Sequence, residues 1–341
     1  MQAPHHGGDA RGAEFFSVIQ NQYGERPDER DIQLKPDAEI RLGTRTSKLA
    51  LAQTAIVSAG LAARGIAPER IIPVPLQTVG DQVQDRPLAE IGGKALWTRE
   101  LDRALAEGEI DAAVHSMKDV ESPISSHFVL AAVLPRADAA DRLIGAASID
   151  AIPSGALVGT SSPRRAAQLL HLRPDLRVVS IRGNVETRLR KTAAGEVAAT
   201  FLAAAGLDRL GIVAGTRLAI DDFLPAASQG AIGVVARADD HELLEQLALL
   251  DHGPTRRAIL AERAFLDRVG GNCHSAIAAH AIETAEGLRL TAEIYSADGR
   301  ERVAGAATAT SDDTPRDLAA RLAVRLLADA SAAIRASLGQ F

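Results

Sequence analysis

At 341 residues the chain is long enough for two or three domains of ordinary size. A formal net charge of −6 excludes nucleic-acid binding through an overall basic surface, and a single cysteine excludes an internal disulfide. No apolar run is long enough to span a bilayer, so a soluble, cytoplasmic chain with no membrane or nucleic-acid partner is expected.

Apolar residues supply 46% of the chain while aromatics supply only 3%, a mixture suited to helices packed on buried parallel strands. The expected fold class is therefore α/β. Residues 1–37 carry His5-His6-Gly7-Gly8 and scattered acids without an apolar core, so they read as a flexible N-terminal extension rather than a secretory signal or transit peptide.

From residue 39 the pattern is regular. A strand over 39–43 precedes a helix over 47–64 capped by Ser47, and 70–78 is the next strand. The glycines, acids and Pro87 of 80–93 predict a mobile loop, followed by an amphipathic helix over 96–107 and a buried strand over 110–115. A proline- and charge-rich passage, 121–142, separates this half from a second with the same grammar: strand 156–159, helix from Pro163, strand 177–181, helix after Asn184, strand 198–203. After Pro254 the pattern changes to a long helix (256–268), alternating strands over 277–282, 288–295 and 302–310, and one final helix over 314–338. The domains expected are 38–135 together with 230–250, then 139–227, then an α+β domain over 254–341.

Three strand-to-helix junctions carry a Ser, Thr or Asn beside arginine: Arg45-Thr46-Ser47, Thr160-Ser161-Ser162-Pro163-Arg164-Arg165, and Arg182-Gly183-Asn184-Val185-Glu186-Thr187-Arg188. A helix N-terminus already presents unpaired N–H groups and partial positive charge, so cations there need an anion opposite. One such junction is equally well read as a capped surface helix with solvated arginines; three together point to a polyanionic ligand. Guanidinium forks suit carboxylates or phosphates, and without a nucleotide-binding glycine loop carboxylates are favoured.

His115-Ser116-Met117-Lys118-Asp119 ends a buried strand, where α/β proteins place chemistry. A Lys–Asp pair closing a loop is the plain reading; a carboxylate stabilising a developing cation or moving a proton is the functional one. His115 reads as a hydrogen-bonded, half-buried residue. No metal-ligand spacing occurs. Cys273, on the glycine-rich loop 270–273, is either a small buried apolar residue or a site of covalent attachment or catalysis.

These stretches, with Gly92-Gly93-Lys94, Ala205-Gly206-Leu207, Arg209-Leu210, Gln229-Gly230-Ala231 and Ala261-Glu262-Arg263, resemble the porphobilinogen deaminase (hydroxymethylbilane synthase) family in order and spacing from residue 39 to the end. The resemblance implies two periplasmic-binding-protein type II-like α/β domains plus a C-terminal α+β domain, in a monomer. It implies a dipyrromethane cofactor attached through Cys273, on which four porphobilinogen molecules are condensed with loss of ammonia before hydrolysis releases linear hydroxymethylbilane. Each pyrrole carries an acetate and a propionate, which is the polyanion that the junctions call for.

By the same resemblance Asp119 is catalytic. Cys273, Ser47, Lys118, Asp119, Thr160, Ser162, Arg164, Arg165 and Arg188 hold the cofactor, while Arg45, Ser47, Lys94, Arg182, Arg188, Arg209 and Gln229 hold substrate. Arg164→Leu is then expected to damage binding or elongation rather than folding. The chain departs from the family pattern at Asn272, an extra residue before Cys273, and at Ala276, where proline is common. It departs again at Ala140, where arginine is usual and for which Arg136 and Arg142 are the candidate substitutes, and at Ser228, where glycine is common. Two other functional classes fit part of the pattern. A carboxylate-binding solute module would use the two lobes alone, and a Cys/His hydrolase would need His274 and an orienting partner.

Overall fold

The computed structural model describes residues 39–78, 98–272 and 275–338. The N-terminal extension, the loop over 80–93, Lys94, Cys273 and His274 lie outside the described residues.

In the first lobe β1 (Ile40–Arg45) lies between β2 (Ile71–Leu76) and β3 (Ala112–Ser116) and is parallel to both. The sheet continues through β10 (Ile232–Arg237) to β4 (Phe128–Val133), with β10 antiparallel to each neighbour, giving the order β2-β1-β3-β10-β4. Helices α1 (Lys48–Ala62) and α6 (His241–Ala248) cover one face, where Leu42, Val57, Leu61 and Leu247 are fully buried. Helix α2 (Arg99–Ala106) and α7 (Gly253–Arg268) cover the other, with Leu101, Leu105, Met117 and Ile259 fully buried. A sheet covered on both faces needs strands apolar throughout, and all six residues of β4 are buried. That strand corrects the reading of 121–142 as a separator: its Phe-Val-Leu-Ala-Ala-Val run is core, and Asp141 and Arg142 already belong to the first strand of the second lobe.

The second lobe repeats the plan in the order β7-β6-β8-β5-β9. It contains β5 (Asp141–Ile144), β6 (Leu157–Gly159), α3 (Pro163–Leu172), β7 (Arg177–Val179), α4 (Val185–Ala193), β8 (Ala199–Ala203), α5 (Ala204–Arg209) and β9 (Thr216–Arg217). Strands β6, β7 and β8 run parallel, while β5 is antiparallel to β8 and β9. Phe201 and Phe223 stack at 5.0 Å in its core.

The third unit is the antiparallel sheet β11 (Ile277–Thr284), β12 (Gly287–Tyr295) and β13 (Arg302–Thr308), packed against α7 and α8 (Pro315–Asp329). The single final helix expected over 314–338 is two: α8 ends at Ala330, whose extended backbone (ψ 129°) breaks it, and Ser331 caps the short α9 (Ala332–Ala336) by accepting from Ile334 N. Two mixed α/β sheets plus an antiparallel three-stranded unit is the architecture that the sequence implied.

Candidate active site

The first junction joins β1 to α1. Ser47 has extended backbone (φ −68°, ψ 145°) and its Oγ accepts from Ala50 N at 3.3 Å, leaving Arg45 at the strand end beside it. Strand β3 lies next to β1 and ends in Ser116, whose Oγ accepts from Gln53 Nε2 at 2.7 Å. The chain then makes a 3-10 turn, Met117–Asp119. Met117 is fully buried beneath that turn, and only glycine fits under it at 233: a Cβ there would lie 2.1 Å from the Met117 sulfur. Arg45, Ser47, Gln53, His115, Ser116 and Asp119 line one open cavity of about 400 Å³. Gln53 and Ser116 also line a second, of about 290 Å³, with Lys118, Arg209 and Gly230, so the two adjoin.

The second junction joins β6 to α3. Ser162 Oγ accepts from Arg165 N at 3.5 Å, Thr160 Oγ1 accepts from Ser162 N at 3.1 Å, and Pro163 opens the helix. Arg164 and Arg165 do not point to solvent; they are 3% and 6% exposed. Both pair with Asp141, a fully buried carboxylate that accepts from Arg164 Nη2 at 2.8 Å and from Arg165 Nη2 at 2.6 Å and Nε at 3.1 Å. Burial pushes the Asp141 carboxyl up, but Arg165 and Arg164 outweigh it and hold the group far below the usual carboxylate range. Arg164 Nη1 donates to the Leu224 carbonyl (2.8 Å) and Arg165 Nη1 to that of Phe201 (3.0 Å), while Arg164 Nε is buried with no partner among the described residues. Arg164→Leu would remove half of this buried ion-pair system, so a cost in stability is expected, which the sequence reading did not include.

The third junction joins β7 to α4. Asn184 Oδ1 accepts from Thr187 N at 2.9 Å, and Gly183 takes φ +112°, a conformation in which a Cβ would also meet the Thr187 side chain at 2.5 Å. Arg188 Nε donates to the Gly183 carbonyl at 3.0 Å. Burial, then the neighbouring charges of Arg165 and Arg182, lower the Arg188 guanidinium to about 10. Arg209, at the end of α5, is likewise lowered by burial and donates to the Gly230 carbonyl at 2.7 Å.

Lys118 and Gln229 tie the lobes together. Gln229 Nε2 donates to Asp141 Oδ1 at 2.8 Å and to the Ala139 carbonyl at 2.7 Å, while Lys118 Nζ donates to Gln229 Oε1 at 3.5 Å. Desolvation lowers Lys118 to about 8; Asp119 and Asp141 raise it while Arg165 and Arg164 lower it further. His115 is buried and lowered to about 4, by desolvation first and then by Arg45 and Arg263, so it is neutral at pH 7. No described residue hydrogen-bonds its ring, unlike the expectation from sequence. Among the described residues none hydrogen-bonds the Asp119 carboxylate, which faces the first cavity.

Sequence reasoning missed Asp141, Glu262 and Arg263. Glu262, fully buried, accepts from Arg136 Nη1 at 2.6 Å, Ser228 N at 2.5 Å and Ala281 N at 2.7 Å, joining the third unit to the crossover between the lobes. The signal for Asp141 was present: two adjacent arginines in a helix's first turn need a buried anion, and Asp141 opens β5 of the same sheet. Neither candidate substitute for an arginine at 140 reaches the cavities. Arg136 is held by Glu262, and Arg142 by Asp208 at 2.7 Å. Ser228 adopts φ 62°, which a glycine there would accept without strain. Among the described residues no group of three or more His, Cys, Asp or Glu could hold a metal ion, and no helix is long and apolar enough to cross a membrane.

Comparison with known proteins decides the family. Residues 40–245 match the family model for the porphobilinogen deaminase dipyrromethane cofactor-binding domain, and 256–328 match its C-terminal domain. The chain belongs to the porphobilinogen deaminase family. It is 54% identical over 312 residues to porphobilinogen deaminase of Sphingopyxis alaskensis, covering 88% of this chain and 96% of that one. The Paracoccus denitrificans enzyme is 46% identical over 86% of this chain and 96% of its own length. The chloroplastic enzyme of Pisum sativum is 46% identical over 81% of this chain and 77% of its own. The activity is that of the family, a transferase reaction that makes hydroxymethylbilane from porphobilinogen in tetrapyrrole biosynthesis.

Proposed function

We propose that the two cavities form one cleft in which cations from both lobes hold a carboxylated pyrrole chain while Asp119 works on its growing end. The observation that carries this reading is a charge imbalance. Arg188 is depressed first by burial and then by two cations, Arg182 and the Arg165 that already shares the Asp141 carboxylate with Arg164. A polyanion would relieve what the protein leaves uncompensated.

The donor set fits a dipyrromethane, whose two rings carry four carboxylates. Lys118, Arg188, Arg165 and the capped junction at Ser162 would hold it, with Cys273 as its thioether anchor. When bound, that group supplies the free pyrrole α-carbon that porphobilinogen extends.

Arg45, Ser47, Arg182 and Arg209, with Lys94, orient the incoming substrate through its acetate and propionate, while Gln229, whose amide donates to Asp141 and the Ala139 carbonyl, acts through Lys118. Asp119 faces the cavity beside neutral His115, so it accepts hydrogen bonds from a pyrrole N–H as positive charge develops and takes up the proton released on carbon–carbon bond formation. Lys118, adjacent to Asp119 and low in pKa, donates a proton more readily than an ordinary lysine and suits a carboxylate or a departing amine. The chain is read as a cytoplasmic monomer, which light scattering on the purified protein checks.

Intact mass of the purified chain tests the anchor. The expected result is an addition of two pyrrole units, absent in Cys273→Ser; a bare polypeptide in active enzyme overturns it. Asp119→Asn keeps the fold and the mass addition but loses most turnover, and near-normal turnover removes Asp119 from the mechanism.

A further inference from the structure

The turn that carries Lys118 and Asp119 is held from the third unit. Arg263, on α7 and 6% exposed, donates from Nη1 to the carbonyls of Met117 (3.4 Å) and Val120 (3.0 Å) and from Nη2 to that of Glu121 (2.5 Å). One helical turn further on, Asp267 Oδ2 accepts from Ser122 Oγ at 2.9 Å. A three-residue 3-10 turn has carbonyls at its C-terminal end without an internal partner. A guanidinium has five donors in a planar fork and a positive charge that suits the negative end of a turn, so one side chain gathers the carbonyls of Val120 and Glu121 just past the turn together with that of Met117, which also accepts from Val120 N at 3.3 Å.

We infer that Arg263 is a positioning residue, fixing the backbone on both sides of Asp119 and so the aim of its carboxylate without touching substrate. The inference rests on the reading of Asp119 as catalytic. The turn is pinned from two directions: Met117 is driven into the core over Gly233, and the carbonyls of 117, 120 and 121 are gathered by Arg263. Between those anchors only Lys118 and Asp119 remain, and both line the cavities. The other end of the rod is fixed as firmly, since Arg256 donates to the carbonyls of Leu130 and Ala131 on β4 at 2.9 and 3.1 Å. Ala261 and Phe265 are fully buried in the third unit's core, so this helix cannot swing independently of that unit. The segment that aims Asp119 is thus continuous with the one that leads in sequence to Cys273.

The competing role is plain glue between the third unit and the first lobe. Glue predicts lost stability with normal turnover per folded chain. Positioning predicts a lower kcat at nearly unchanged KM. In the cofactor-bearing protein, counted by intact mass, Arg263→Met is expected to lower kcat by about 30- to 100-fold and Arg263→Lys by about 5-fold, with KM for porphobilinogen within about twofold, because misplacing a reacting group by about 1 Å costs up to ~10²-fold. Hydrogen exchange of the amides at 117–121 should accelerate in both variants while that of β11 and β12 does not.

Unchanged kcat per folded chain, or exchange that accelerates equally in β11 and β12, overturns the proposal. Should neither Arg263 variant fold, Asp267→Ala removes the exposed neighbouring bond; a kcat about threefold lower supports positioning, in keeping with a smaller displacement, and an unchanged one overturns it. Asp119→Asn run alongside separates the two readings. If it turns over normally the assignment of Asp119 fails, whereas if it is dead and the Arg263 variants are normal, only positioning fails.

Discussion

The second and third junctions share a sequence grammar and differ in electrostatics. At Thr160–Arg165 the arginines find their anion inside the protein, because Asp141 opens β5, two strands from β6 across β8, and lies fully buried between them. At Arg182–Arg188 the charges acting on Arg188 are both cations, and burial adds to their effect. One junction receives a buried carboxylate from the fold and holds its arginines rigidly; at the other, no carboxylate among the described residues acts on Arg188. A cap followed by arginine therefore does not by itself distinguish architecture from a ligand site. What distinguishes them is whether the fold delivers a carboxylate.

The largest effect that tests this contrast is expected for Asp141→Ala. Stranding two buried guanidinium groups should cost about 3–5 kcal/mol of stability in urea unfolding; a loss under about 1 kcal/mol would mean that the arginines already look outward. Arg188→Gln should do the opposite. It removes a desolvated charge that has no carboxylate acting on it, so stability should hold or rise, while kcat/KM falls by about 30-fold or more, the equivalent of about 2 kcal/mol of lost pairing with a ligand carboxylate.

A third test uses Lys118. Its folded pKa of about 8 lies below its ordinary 10.5, so between these values the unfolded chain holds the proton and the folded chain does not. Stability should therefore rise with pH across that window, and the penalty should be fully present below pH 8. Lys118→Met should flatten this rise. An anion bound nearby restores the charged form, so calorimetry near pH 8.5 in two buffers of different ionisation enthalpy should detect proton uptake on adding porphobilinogen.

The smallest effect is expected for Glu186, the acid in the first turn of the third junction. It pairs with Lys48 across the mouth of the cleft at 2.6 Å, and both side chains are exposed. Glu186→Gln should change stability by no more than about 0.5 kcal/mol. A larger loss would make Glu186 the missing counter-ion of that junction and dissolve the contrast.

Much of this was legible in the sequence because it is local. Ser47 caps the helix it was expected to cap, and Ser162 and Asn184 cap the helices expected to start beside them, since an N-cap is decided within four residues. Strand β4 was hidden by the prolines and charges around it, although its six-residue apolar run is a buried-strand signal. The break at Ala330 was missed because alanine favours helix, and the residue that restarts it, Ser331, is also a cap signal. Asp141, Glu262 and Arg263 escaped for a different reason. Their partners lie 19 to 146 residues away, and no local pattern encodes which buried carboxylate meets which arginine. The resemblance to a family supplied roles for the arginines but not their bonding, which is why Arg164 was expected to be dispensable for folding.

Strand β10 has a consequence for synthesis. The first lobe's sheet is not closed until residues 232–237 insert between β3 and β4, pairing with both. A nascent chain that has emerged only as far as the second lobe leaves two apolar strands with open edges and no glycine at 233 for Met117 to pack over. The turn bearing Asp119 is therefore completed only after residues more than 100 positions later in the chain have emerged, about 115 to Gly233 and about 145 to Arg263. A fragment ending before residue 232 should expose β-edges to aggregation rather than form a smaller working lobe.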